Sequence, residues 1–153
     1  MTLDWFKCKE VGWCDLLKVD TDNDYVKESI GVYVCWTGSE MDNTSKILRV
    51  GQGYIYDIIF ELRKEPSILA FGSKGIYFTW ARCSTYHLNR VEVFLHNHFK
   101  PVIINPDLPK SRPKKVNLPW DEEEIKLLKA QLGKPNFNDK EEVKKKENKL
   151  PWK

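Results

Sequence analysis

The run Gly31-Val32-Tyr33-Val34-Cys35-Trp36 is rich in strand formers and reads as a strand. A polar stretch, 37–45, turns the chain, and Ile47-Leu48-Arg49-Val50 reads as a second short strand. That strand passes through Gly51-Gln52-Gly53 into a different period. Ile55, Ile58, Ile59 and Leu62 recur at helical spacing, one apolar stripe, and Pro66 stops the helix they predict. Gly72 and Gly75 bracket a turn, and residues 76–83 form a third strand-like segment. Ser84 or Thr85 can cap a second helix over about 86–99, with Leu88, Val91, Leu95 and Phe99 on its buried face. Pro101 ends it, and residues 102–106 close the unit as a short apolar segment.

Either side of this ordered stretch the pattern weakens. Residues 1–30 carry Trp5, Phe6, Val11, Trp13, Leu16, Leu17 and Val19 without one clear period, and read as an N-terminal extension packing on the core. The alternating aspartates of Asp20-Thr21-Asp22-Asn23-Asp24 resemble the opening of a calcium loop. Tyr25 and Gly31 stand where such a loop needs its glycine and its bidentate carboxylate, so the stretch reads as a solvated turn. From Pro106 the texture changes to a basic, proline-rich tail, 106–153. Pro106, Pro109, Pro113 and Pro119 alternate with Lys110, Arg112, Lys114 and Lys115, an extended linker by composition. A short helix is expected over 122–132, followed by a charged stretch over 138–149. Leu118-Pro119-Trp120 returns as Leu150-Pro151-Trp152, and an indole in such a tail implies a partner surface, either a protein groove or the domain itself.

Size and composition narrow the class. The chain has 153 residues, 41% of them apolar, which suits one domain over 31–105 with two appendages. No apolar stretch approaches the roughly 18 residues of a membrane span, and the first residues do not resemble a secretory signal, so a cytoplasmic address without membrane contact is expected. The four cysteines form no C-x-x-C pair. Cys35 and Cys83 fall in strands as buried thiols, and no disulfide framework is expected. Residues 111–153 hold 12 of the 25 Lys and Arg and 8 of the 22 Asp and Glu, which leaves 13 against 14 in residues 1–110. Any basic face for nucleic acid must therefore come from local clustering or from the tail.

The order strand, strand, helix, strand, helix over 31–105, with Gly31-Val32-Tyr33 and Arg49-Val50-Gly51 in its first two strands, resembles the GIY-YIG nuclease superfamily. The resemblance implies an α/β fold with a small, mainly antiparallel three-stranded sheet flanked by helices. It also implies a metal-dependent DNA endonuclease, with Mg²⁺ or Mn²⁺ as cofactor and DNA as partner. Tyr33 matches the first signature tyrosine, Glu92 the carboxylate that holds the metal, and Asn105 an asparagine near the site. Arg49 replaces the second signature tyrosine. It stays protonated and suits a phosphate better than the role of a base. Where the family places an arginine on the first helix, this chain has Ile58 and Ile59, so Arg63, one turn on, is the substitute cation. The expected catalytic set is thus Tyr33, Arg49, Arg63 and Glu92, with Arg49, Arg63, Arg82 and Asn105 contacting nucleic acid. Plainer roles stand beside these: Tyr33 as a packing aromatic, Glu92 as a solvated carboxylate on a helix flank, and His96, four residues on, as a surface histidine. If the site has decayed, the alternative is an inactive module that binds nucleic acid or protein.

Overall fold

The computed structural model describes residues 1–8, 12–38 and 45–120. In chain order the elements are β1 (Cys14–Asp15), α1 (Asp24–Lys27), β2 (Ile30–Thr37), β3 (Lys46–Tyr54), α2 (Ile55–Leu62), α3 (Pro66–Leu69), β4 (Ile76–Arg82) and α4 (Leu88–Phe99). The fold is α/β. One antiparallel sheet has the order β1-β4-β2-β3, so it holds four strands rather than three. The additional strand is two residues long and comes from the N-terminal extension, where no alternation marked it.

Both faces of the sheet are covered. Tyr33 and Cys35 point to one face and pack with Ile55, Ile58, Ile59 and Leu62 of α2. Val32, Val34 and Trp36 point to the other and pack with Leu88, Val91 and Leu95 of α4. Burial on two sides explains why β2 is apolar throughout instead of alternating. Gly31 lets the central strands approach: a Cβ there would lie 1.9 Å from the Ala81 carbonyl oxygen of β4.

The hairpin of β2 and β3 contains a bulge. Cys35 pairs with Arg49 and Trp36 with Ile47, so Leu48 is the extra residue. Downstream, α4 begins two residues later than its composition suggested. His87 occupies the N-cap position without a side-chain cap, while Ser84 Oγ accepts from the Tyr86 amide in the preceding turn. Lys100 closes α4 in the left-handed conformation, at φ 48°. The chain then reverses, and the amides of Val102 and Ile103 donate to the carbonyls of Ile47 and Leu48, closing the outer edge of β3 at its start.

The N-terminal residues lie along β4. Phe6 N donates to the Trp80 carbonyl, Thr79 Oγ1 donates to the Phe6 carbonyl, and Trp5 is fully buried. Cys8 and Cys14 are joined by a disulfide, where no disulfide framework was expected. Cys8 forms an antiparallel bridge with Gly12, and its Cα lies 5.0 Å from that of Cys14, within disulfide range. Cys35 and Cys83 are free and buried, as expected. Asn23 caps α1, so the aspartate run is the entry to a helix.

Residues 106–120 have no regular secondary structure, yet they are not loose. Val116 is buried, and Asn117 exchanges hydrogen bonds with the backbone of Leu3 in both directions. Trp5 Nε1 donates to the Asn117 carbonyl, and Trp120 packs against Trp13, Trp36 and Phe99. Trp120 therefore has the domain's own surface as its partner. The expected tail helix, the charged stretch over 138–149 and Trp152 lie outside the described residues. Among the described residues, no helix is long and apolar enough to cross a membrane.

Candidate functional site

A cleft of about 330 Å³ opens where β3 meets α2, α4 and the segment after α4. Its lining includes Tyr33, Arg49, Gln52, Glu61, Asn89, Glu92, Asn105 and Asp107. The two sheet faces contribute separately. Tyr33 and Arg49 belong to the α2 face, because Arg49 stands directly opposite Cys35 across the hairpin. Gln52 lies on the α4 face and meets Glu92 there. β3 is an edge strand, so groups from both faces converge around it.

Gly51 makes that convergence possible. It pairs with Tyr33 across the hairpin, and a Cβ at this position would lie 2.7 Å from Tyr33 Cε1 and Oη. The phenol ring occupies the space a side chain would fill, which carries its hydroxyl toward the edge of β3. A motif glycine is thus required by the aromatic opposite it.

Glu92 is 2% exposed, not the solvated carboxylate of the plainer reading. Gln52 Nε2 donates to Oε1 at 2.8 Å, and Asn105 Nδ2 donates to Oε2 at 2.8 Å. Each donor is itself oriented. Gln52 Nε2 also donates to Asn89 Oδ1 at 2.7 Å, while Asn105 Oδ1 accepts the Asp107 amide at 3.0 Å, which turns the Asn105 NH₂ toward Glu92. Every carboxylate oxygen can accept more than one hydrogen bond, so each keeps acceptor capacity after the amide contacts.

The electrostatics divide the remaining groups. Burial pushes the Tyr33 phenol well above its ordinary value of 10.0, and the nearby Arg49 charge offsets only part of that rise. The phenol therefore keeps its proton, which suits a hydrogen-bond donor better than a base. Burial likewise pushes the Cys35 thiol up to about 12, again opposed by Arg49. Arg49 Nε is buried and has no hydrogen-bond partner. A charged donor left in this state at the wall of a cleft is suited to an incoming anion.

Of the residues singled out from the sequence, Tyr33, Arg49, Glu92 and Asn105 come together in this cleft. Arg63 does not. It stands at the end of α2, where its Nε and Nη2 donate to the carbonyls of Leu16 and Val19 at 2.8 and 2.6 Å. Those carbonyls lie in the turn that follows β1, and Arg63 satisfies them. Arg82 is also elsewhere. Its guanidinium lies 4.2 Å from the centre of the Tyr25 ring and donates to Ser29 Oγ, in a separate hollow with Glu28 and Cys83. His96 borders a third hollow with Lys100 and Ile104. Ile58 lines the cleft at a helix position where the sequence resemblance called for a cation.

Gln52 and Asn89 were not anticipated as site residues. The period-two pattern offered a signal for Gln52: two residues past buried Val50, it shares that residue's face. Asn89 had none, since a polar residue in the first turn of a helix is ordinary. No protein-family model, curated protein or solved structure matches the chain.

Proposed function

We propose that the cleft binds a phosphodiester of DNA and hydrolyses it with a divalent cation, in a GIY-YIG-like domain whose site has been rewired around Arg49. The observation that supports this reading is the convergence of one oriented, buried carboxylate, one unpaired guanidinium donor and one protonated phenol in a single cleft. Hydrolysis of a phosphodiester needs charge stabilisation on the phosphoryl oxygens, and Arg49 supplies it with Tyr33 as a neutral donor beside it.

Glu92 would hold the Mg²⁺ or Mn²⁺ ion. Among the described residues no group of three His, Cys, Asp or Glu side chains could hold a metal, so Glu92 stands there without a cage of protein ligands. The arrangement fits an ion that takes one carboxylate from the protein and completes its shell with water and phosphate oxygens, which is common for Mg²⁺. When bound, such an ion lowers the pKa of a coordinated water and polarises the phosphate. Gln52 and Asn105 fix the carboxylate in the orientation that binding requires.

The test is nicking of supercoiled plasmid and of branched duplexes with Mg²⁺ or Mn²⁺. Wild type should nick, Glu92→Gln should abolish nicking, and Arg49→Gln should slow it by about 10²–10³-fold, the usual effect of removing one transition-state donor. Ile58 favours a second reading, an inactive module that seats a phosphate without cutting it. That reading is supported if wild type does not nick any substrate yet still binds DNA, with affinity lost in Arg49→Gln.

A further inference from the structure

The segment leaving the cleft is a line of basic residues. Asn105, Asp107 and Pro109 line the cleft. The next six residues, Lys110-Ser111-Arg112-Pro113-Lys114-Lys115, include four basic side chains. They are fixed to the domain by their main chain. Arg90 of α4 donates from Nε to the Arg112 carbonyl at 3.0 Å, and the Lys114 amide donates to the Arg90 carbonyl at 3.1 Å. Val116 then anchors the segment in the core.

Because the backbone makes these contacts, three of the four basic side chains are left to solvent and Lys114 is half-exposed. Lys110, Arg112 and Lys115 are exposed. None of the four, nor Arg90, forms an ion pair among the described residues, where Lys27 and Asp22 do pair. Pro109 and Pro113 fix φ and keep the segment extended. At about 3.3 Å per residue, Lys110 to Lys115 spans roughly 16 Å. A duplex presents phosphates about every 3.4 Å along each strand, so a straight row of cations meets a regular row of anions over this length.

The geometry points to residues 110–115, with Arg90, as a track for the sugar–phosphate backbone of nucleic acid running out of the cleft along α4. The inference rests on the cleft being a phosphodiester site, and it adds the path of the flanking strand. The track contacts backbone alone, so it recognises no sequence. It also explains why a domain with a balanced core carries its positive charge in one segment. The charge is placed beside the site, where it raises the local concentration of a polyanion.

The experiment measures binding of the full chain to a labelled duplex of about 30 base pairs by fluorescence anisotropy, in EDTA, across roughly 50 to 200 mM salt. The variant is Lys110→Gln/Arg112→Gln/Lys114→Gln/Lys115→Gln, which leaves the main-chain contacts in place. Its affinity at low salt should fall at least about tenfold. Its plot of log affinity against log salt should flatten by about 3.6, at roughly 0.9 for each of the four phosphates no longer neutralised. A control, Lys18→Gln/Lys27→Gln/Lys64→Gln/Lys74→Gln, should keep most of the slope. If the fourfold variant does not fold, Lys110→Gln/Lys115→Gln is used, with about half the flattening expected. An unchanged slope in the track variant, or an equal loss in the control, overturns the track. Plasmid nicking by wild type is read separately. A steep slope without nicking defeats the hydrolytic reading alone, and nicking with an unchanged slope defeats the track alone.

Discussion

Glu92 shows how much depends on a residue's neighbours. Removing its carboxylate strands two amide donors that point inward, so Glu92→Ala should cost about 2–4 kcal/mol in urea denaturation, and Glu92→Gln, which retains one acceptor, clearly less. An exposed helix carboxylate would cost almost nothing. Cys35 offers a second residue-level prediction. Its thiol has an ordinary value of 9.0 and is pushed up to about 12 by burial. Between these two values the unfolded chain releases a proton that the folded chain retains, so stability falls as pH rises. The slope from this group approaches 1.4 kcal/mol per pH unit above pH 9 and ends near pH 12. Denaturation of wild type and Cys35→Ala at a series of alkaline pH values should show the slope reduced by that amount in the variant. Tyr33, whose phenol is also raised, adds to the fall above pH 10 in both proteins.

At the level of elements, the hairpin of β2 and β3 was the most legible part of the chain and also carries the most chemistry. Gly51→Ala should destabilise by about 1–3 kcal/mol, because the new methyl meets the Tyr33 ring. In a Tyr33→Leu background the same substitution should cost under about 0.5 kcal/mol, and a double-mutant cycle by chemical denaturation measures the difference. Runs of strand formers located β2, β3 and β4, and apolar stripes at helical spacing located α2 and α4. They missed β1, too short to alternate, and placed the start of α4 at hydroxyl residues that cap a turn instead. The candidate site was half legible. Tyr33, Arg49, Glu92 and Asn105 followed from motif order, whereas Arg63 and Arg82 were taken by carbonyls and an aromatic ring that only the folded chain brings to them. A cation's destination depends on which acceptors lack partners, and sequence spacing does not encode that. The disulfide was missed for the same kind of reason: its two cysteines become neighbours only in the folded chain, and their spacing matches no cysteine motif.

For the whole molecule, the segment after Pro106 is a structural part and not a tether. Asn117→Ala removes both bonds to the Leu3 backbone and should lower stability by about 2 kcal/mol by thermal or urea unfolding. The Trp5 indole should stay buried, since its acceptor is the main-chain carbonyl of residue 117, and unchanged tryptophan emission in the folded variant would report it. This closure has a consequence for synthesis. Leu3 and Asn117 are 114 positions apart, and a ribosome adds about 5–20 residues per second. The first strand-like residues thus wait on the order of ten seconds for their last hydrogen-bond partners to be translated. Through that interval the indole N–H of Trp5 has no acceptor from residue 117, and the nascent chain holds every residue of the cleft before Leu3 and Trp5 can be locked in place.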